Sequence, residues 1–310
     1  MIVSDFLYFD EKGLFCPYGN FYIDPKKPVN KAIISHAHAD HCVKGHHDFF
    51  STPETAILAQ RRMGINAAKN FIPHPYNIKF LIGDIHVNFL PAGHILGSAQ
   101  VMMEYRGIRY LYTGDCKLQS DSTCLPYQVA ATDVLITETT YAKPEIIHPD
   151  VVQEILKLNN IQLPIFLGTY ALGKSQRLNR LISEHCPNKL IAVHHHIAKI
   201  NAVYEECHIN IGTYTHYSRK LQRNNLIYMM PPAIWHRYTR SKDIAHIFVT
   251  GWNYKKKDSM YSLTISDHID WNDLLEIIQK SKCREIWTLH GDGNTLKNYF
   301  KNQITVKILN

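Results

Sequence analysis

Six apolar runs in this chain have a common form: each reads as a short β-strand and each ends in histidine, aspartate or glutamate. Lys31-Ala32-Ile33-Ile34 opens into Ser35-His36-Ala37-His38-Ala39-Asp40-His41, and Val87-Asn88-Phe89-Leu90-Pro91 into Ala92-Gly93-His94. Residues 109–113 lead to Gly114-Asp115, and 133–137 to Glu138. Residues 261–265 lead to Ser266-Asp267-His268, and 284–289 to His290-Gly291. Strands finished in this way line one rim of an apolar sheet with polar ligands. A hydrophobic core has no need of that rim; a binding site does.

The residue types at the rim suit divalent metal. Side chains two apart on an extended segment point the same way, so His36 and His38 converge on one ion. Asp40 and His41 follow the strand end, where the turning chain lets them face a second ion. Neutral imidazole and carboxylate are zinc-type ligands at roughly 2.0–2.2 Å. His94 lies in Gly-His-x-x-Gly-Ser, whose glycines permit a tight loop, and is a natural third ligand of the first ion. Asp115, with two oxygens, can bridge two ions, and His290 completes the second beside Asp40, His41 and Asp115. Two ions roughly 3.5–4 Å apart clamp the attacking and leaving oxygens of a displacement at phosphorus, and such ions lower the pKa of a bound water. His268 is then free to protonate the leaving oxygen, with Glu138 orienting its other nitrogen. Asp40, His268 and Glu138 are therefore the catalytic candidates. The competing reading is a set of polar strand ends in a chain with 19 histidines; the order of the pieces argues against coincidence.

Composition narrows the classes. A chain of 310 residues that is 45% hydrophobic and 20% charged is ordinary globular protein of one or two domains. No apolar run approaches the roughly 18–20 residues that cross a bilayer, so no membrane association is expected. The start mixes apolar residues with Asp5 and Asp10 and has no basic segment before them, which speaks against a signal peptide. Seven scattered cysteines without a Cys-x-x-Cys pair fit reduced thiols in the cytoplasm. The net charge of +7 is compatible with a polyanionic partner such as nucleic acid. From about Pro149 helix and strand alternate: helices over 150–159, 174–184 and 198–206, strands over 163–167, 190–193, 226–230 and 244–250. That pattern predicts a small parallel α/β unit, with boundaries at 1–148, 149–252 and 253–310. A further helix is expected over 53–63, with Pro53 in its first turn.

The order His-x-His-x-Asp-His, Gly-His-x-x-Gly-Ser, Thr-Gly-Asp, Glu-Thr-Thr-Tyr, Ser-Asp-His-x-Asp-Trp and Leu-His-Gly resembles the metallo-β-lactamase-fold nucleases with a β-CASP-type cap. Within that group the chain is most similar to the bacterial DNA ligase-associated exonucleases. The resemblance runs nearly end to end. It includes Gly13-Leu14-Phe15-Cys16-Pro17, Asn20-Phe21-Tyr22-Ile23-Asp24-Pro25, Tyr170-Ala171-Leu172-Gly173-Lys174 with Gln176-Arg177, Pro231-Pro232 and Gly251-Trp252. It implies an α/β fold, an αββα sandwich of two sheets with an inserted α/β cap. It also implies two divalent ions, zinc in the first place and manganese as the alternative. His36, His38 and His94 would hold the first ion, Asp40, His41 and His290 the second, and Asp115 both. Glu138 and His268 would take the acid–base and orienting roles. The implied activity is hydrolysis of DNA from an end, in repair, alongside an ATP-dependent DNA ligase and a helicase. Cys116 stands where an aromatic residue is more usual, and Lys255-Lys256-Lys257 stands for a basic run; neither departure removes a ligand.

Several features pull elsewhere. Gly168-Thr169-Tyr170-Ala171-Leu172-Gly173-Lys174-Ser175 satisfies a phosphate-binding loop pattern between a strand and a helix. No later strand ending in Asp or Glu within that α/β unit is there to hold magnesium, so an ATPase is disfavoured, while Lys174 remains a candidate DNA phosphate contact. Ser98 and Lys255, Lys256 and Lys257 are the other candidate substrate contacts. Tyr217, Trp235, Tyr238 and Trp252 are candidates for stacking on unpaired bases, at least half of them expected in the core. His194-His195-His196 has no acidic or thiolate companion nearby and reads as surface of the α/β unit, and His46-His47 as loop. Two alternatives stay open: a ribonuclease of the same family, since His290 is the type found in RNA-processing members, and a catalytically idle metal-binding scaffold.

Overall fold

The computed structural model describes residues 1–218, 220–221, 224–238, 241–252, 262–301 and 303–309. Two compact units emerge, one of residues 1–120, 124–147 and 268–310, the other of 121–123 and 148–267.

The first unit begins with strands β1 (Tyr8–Asp10), β2 (Gly13–Cys16), β3 (Phe21–Ile23), β4 (Lys31–Ile33), β5 (His46–Ser51) and β6 (Ala68–Pro73), paired in chain order into one sheet. Helix α1 (Pro53–Met63) lies between β5 and β6, with Thr52 capping its N-terminus and Pro53 in its first turn. A second sheet starts with β7 (Phe80–Ile82), β8 (Ile85–Pro91), β9 (Ala99–Tyr105), β10 (Ile108–Tyr112) and β11 (Val134–Glu138).

The second unit follows: α2 (Val151–Leu156), β12 (Ile165–Gly168), α3 (Lys174–His185), β13 (Leu190–Val193), α4 (His195–Glu206), β14 (Thr215–His216), β15 (Leu226–Met230), α5 (Pro232–Trp235), β16 (Ala245–Thr250) and β17 (Leu263–Thr264). Its sheet runs β14-β13-β15-β12-β16-β17 and every described pair in it is parallel. Because β17 adds to β16, this unit continues to Asp267, past the boundary that the sequence places at 252.

The chain then returns to the first unit with α6 (Trp271–Ser281), β18 (Glu285–Leu289), α7 (Asn294–Tyr299) and β19 (Thr305–Ile308), completing the order β19-β18-β11-β10-β9-β8-β7. Asp270, the second acid of Ser-Asp-His-x-Asp-Trp, is the N-cap of α6 and accepts from the Asp273 N–H. Its role is that of a helix cap.

Alternation along the strands builds the layers of the first unit. Val87 and Phe89 of β8, Val101 and Met103 of β9, and Tyr110 and Tyr112 of β10 turn toward Phe21, Ile23 and Ile33 of the first sheet. The opposite residues, Leu90, Leu111, Leu135 and Ile286, pack on Leu274, Ile277 and Ile278 of α6 and Leu296 of α7. On the outer side of the first sheet, Ala32, Ile34 and Phe49 meet Ala59 of α1. Helix, sheet, sheet and helix are thus stacked around three apolar interlayers. Every residue of β11, at the middle of its sheet, is buried.

Strand register sets the rim. Glu138 ends β11 opposite Leu289 of β18, one residue before His290. Tyr112 ends β10 opposite Ile136 of β11, so Asp115 leaves the sheet beside Glu138. The Ala99 N–H, at the start of β9, donates to Ser35 O at 2.8 Å and ties the loop after β4 to the same edge. One expectation fails here: His46 is no loop residue but the buried first position of β5, paired with Ala68. Its Nδ1 accepts from the Val29 N–H at 3.2 Å, which satisfies a polar atom that burial would otherwise penalise.

Candidate metal centre

β4 stops at Ile33, so His36 and His38 reach the rim from a loop, without the strand alternation that the sequence suggests. Four features shape that loop. The Ser35 N–H and Oγ–H donate to the two oxygens of Asp24 at 2.7 and 2.6 Å. Since the Ser35 proton is committed to Asp24, Ser35 Oγ accepts from His36 Nδ1 at 3.0 Å, leaving Nε2 with its lone pair at the rim. His38 O accepts from the His41 and Cys42 N–H groups, a tight turn that brings His41 back. Arg62 of α1 donates to Ala37 O from behind.

Three imidazole nitrogens then meet. His38 Nδ1 lies 3.1 Å from His36 Nε2 and 3.1 Å from His94 Nε2, while Asp115 Oδ2 is 3.6 and 3.9 Å from the latter two. Four donors bound tetrahedrally at about 2.0–2.2 Å would lie roughly 3.3–3.6 Å from one another, and these separations bracket that range. The chemistry of the set, three imidazoles and one carboxylate, fits a zinc-type ion.

Asp115 Oδ2 also lies 3.4 Å from His41 Nε2, and with His290 these form a second group of donor atoms within 4.8 Å of one another. The His41 Nδ1–H donates to Asp24 Oδ2 at 2.9 Å, which aims Nε2 inward. Tyr112 OH donates to the same oxygen at 2.8 Å. His290 adopts a left-handed backbone, φ 53°, just after β18. Gly291 follows, and a Cβ there would stand 2.4 Å from Thr139 Oγ1, so only glycine lets the chain pass.

The electrostatics are those of a tight cluster. Burial and the charge on His41 hold His36 well below the ordinary histidine range. For His41 burial acts in the same sense, but the Asp115 and Asp24 carboxylates outweigh it and raise the imidazole well above that range. Burial would raise Asp115; His41, His268 and His36 instead hold it well below the usual carboxylate range.

His268 stands beside these groups. Its Nδ1 donates to Glu138 Oε2 at 2.8 Å and lies 3.9 Å from Asp115 Oδ2. Glu138 is fully engaged: Oε1 accepts from the Cys116 N–H at 2.9 Å and Oε2 also from Thr140 Oγ1 at 2.6 Å. Its geometry is that of a holder for His268.

Other candidates fall differently. Asp40 is 3.7 Å from His41 Nε2, but its side chain is 80% exposed and stands outside the donor groups. Ser98 is buried, and its Oγ accepts from the His94 and Ile95 N–H groups, bracing the loop that carries His94. Lys174 is likewise turned inward, its Nζ donating to Ile265 O at 3.0 Å and lying 3.8 Å from Asp267 Oδ2. Ser175 Oγ donates to Tyr170 O at 2.5 Å, so the lysine and hydroxyl of the phosphate-loop pattern are both engaged within the second unit. Gly168 is small for packing, since a Cβ there would come 2.6 Å from the Trp235 ring. Lys255, Lys256 and Lys257 lie outside the described residues. His194, His195 and His196 open α4, with His194 as its N-cap.

Sequence reasoning misses Asp24 as the hub that orients Ser35, His41 and Tyr112, although Ile23-Asp24 shows the same strand-to-acid ending as the other runs. It also misses Lys117, which is buried and donates to His94 O at 3.3 Å. No local signal marks a buried lysine.

No family model matches the chain. A protein from Opitutus terrae described as a probable DNA ligase is 29% identical over 300 residues, 90% of this chain but 28% of the relative. An RNase J-like protein from Methanocaldococcus jannaschii is 31% identical over 51% of this chain and 44% of its own length. The endoribonuclease ysh-1 of Neurospora crassa is 31% identical over 44% of this chain and 17% of its own. The chain therefore spans less than half the length of each of these relatives. A solved structure of a protein of unknown function from Enterococcus faecalis matches the fold with a TM-score of 0.59 at 16% identity, over 90% of this chain and 79% of that one. Relatives named for RNA cleavage and one named for DNA ligation overlap on this sequence, and their common ground is the family that the motif order resembles. These similarities bear out the resemblance of the motif order to the metallo-β-lactamase-fold nucleases of the β-CASP type.

Proposed function

We propose that the chain is a two-metal phosphodiesterase that shortens nucleic acid from an end, with DNA as its substrate. The observation that carries this reading is the position of Asp115: one carboxylate oxygen lies within 4 Å of nitrogens of His36, His41, His94 and His268. A carboxylate shared between two histidine groups is what a paired-ion site requires. His36, His38, His94 and Asp115 would hold one ion, and His41, Asp115 and His290 the other, with Asp40 able to swing in beside His41. Zinc suits the imidazole-rich set, and manganese accepts the same donors. When bound, the two ions would lower the pKa of a water and neutralise charge developing on the phosphate.

The chain's own residues do the rest. Glu138 fixes the His268 ring through Nδ1, so Nε2 is the atom available to deliver a proton to the departing oxygen. Asp24 orients His41 in the same way, through Nδ1. The layered first unit is read as the αββα sandwich and the parallel second unit as the β-CASP-type cap.

DNA as substrate, and work beside an ATP-dependent ligase and a helicase in the cytoplasm, are supported by the resemblance to ligase-associated exonucleases and by similarity along 90% of the chain to a relative named probable DNA ligase. RNA is the second reading, supported by the relatives named RNase J-like protein and endoribonuclease.

The test uses end-labelled single-stranded DNA and RNA of one sequence, with metal-loaded wild type and Asp115→Ala. Stepwise shortening of DNA, lost in the variant, is expected. Preferential cleavage of RNA moves the protein to the second reading. Cleavage of neither, with two metals verified as bound, overturns the enzyme assignment.

A further inference from the structure

The parallel sheet of the second unit has two faces of different composition. Toward α2, α3 and α4 it presents Ile165, Leu167, Ile191, Val193, Ile227, Met229, Ile247 and Val249; among the described residues the fully buried part of that layer holds no Phe, Tyr or Trp, and one ring, that of Tyr214, packs partly buried against it. The alternate residues of the same strands face the other way and are rich in rings: Phe166, Tyr228, His246 and Phe248. Tyr217 stacks on Tyr228 at 3.8 Å between centroids, Tyr238 meets Phe166 edge-on at 5.0 Å, and Trp235 packs 5.3 Å from Phe248. Trp235 is buried, seated over Gly168 with its indole N–H donating to Phe166 O, and serves the core. Tyr238 is exposed, and Tyr217, His246 and Phe248 are half-exposed. The helix on this face is α5, four residues long.

Charge on this stretch is one-sided. Between Glu206 and Asp243 the sequence has six Lys or Arg and no carboxylate, in a chain whose net charge is +7. Lys220, Arg237 and Lys242 of that set are exposed. A layer meant only for burial is satisfied by aliphatic side chains, as the other face demonstrates. Rings with accessible faces on a stretch that carries exposed cations match a different need: stacking for bases and neutralisation for phosphates.

We propose that this face of the second unit binds single-stranded nucleic acid, with Tyr238 and Tyr217 as stacking platforms and Arg237, Lys220 and Lys242 as phosphate contacts. None of these residues belongs to the metal-ligating cluster. The surface would hold unpaired strand of the substrate that the first unit cuts, and in that sense it rests on the function proposed above.

The experiment separates binding from cleavage. A fluorescein-labelled oligothymidylate is titrated, by anisotropy and with chelator present, against wild type, Tyr238→Ala, Tyr238→Phe and the double variant Arg237→Gln/Lys242→Gln. Expected are about a tenfold loss of affinity for Tyr238→Ala with retention in Tyr238→Phe. The double variant should lower the slope of log affinity against log salt by roughly 0.7 per cation removed. The far-UV circular dichroism spectrum and thermal midpoint of each variant should equal those of wild type, which shows that they are folded. The proposal is overturned if Tyr238→Ala and the double variant both bind as wild type does. It is overturned as well if wild type does not bind the oligonucleotide, or binds the same sequence as a duplex equally well. Failure of the nuclease reading would show as loss of turnover in wild type and leave these binding results standing.

Discussion

Asp24 illustrates how a single side chain can set the geometry of a site through the groups it holds. Its two oxygens take protons from Ser35, His41 and Tyr112, and through Ser35 they also fix the tautomer of His36. Partners of this kind are typically worth ~10–100-fold in metal affinity. Asp24→Asn keeps the size and tolerates the left-handed backbone at this position, φ 45°. The variant should therefore fold and bind zinc ~10–100-fold more weakly in competition with a chelator. Unchanged affinity would mean that Asp24 has no part in aiming His41. At this scale the sequence is informative where chemistry is dense, as in His36 to His41, and uninformative where a group acts from a distance. Asp24 is 12 residues from His36 in the chain, and only folding shows that they work together.

Elements explain the remaining gains and losses. Helix α1 and strands β8 to β11 are legible because period and caps agree with burial: Thr52-Pro53 opens α1, and apolar residues alternate along β8. Strand β5 is not legible, since its first half, His46-His47-Asp48, is polar and only pairing with β4 and β6 makes it a strand. Ser98 and Lys174 also owe their placement to the elements that carry them. Residue type suggests a substrate contact, but the loop and helix carrying them turn the polar atoms inward. The burial of His46 has a measurable consequence. Desolvation lowers its pKa from 6.5 to about 4, so the unfolded chain takes up a proton before the folded one does. Stability is unaffected by His46 above pH 6.5 and declines as pH falls from 6.5 toward about 4, by about 3 kcal/mol in all. Denaturant unfolding of wild type and His46→Gln should thus diverge in slope against pH across that window, wild type falling more steeply. Parallel curves would show that His46 takes up its proton without cost in the folded state.

For the whole molecule, the division of labour follows the division of the chain. The donor groups built around His36, Asp115 and His268 draw only on the first unit, contributed by segments before and after the second unit in sequence. Five of the six strand ends, those of β4, β8, β10, β11 and β18, belong to the first unit and come from both sides of the long insertion, while the run before His268 is β17 of the second unit. That order of assembly also explains why the motif order reads so clearly, whereas the return point does not. The rim residues sit at fixed strand ends, while the boundary depends on β17 joining a parallel sheet through two residue pairs. The measurement that bears most directly on the paired-ion centre is a titration of chelator-stripped protein with zinc or manganese. Bound metal and cleavage of end-labelled DNA are read on the same samples, for wild type and Asp115→Ala. Cleavage should rise as the second equivalent binds and be absent throughout in the variant. Full cleavage by metal-free protein, or saturation of activity at one equivalent, would contradict the two-ion centre built on Asp115.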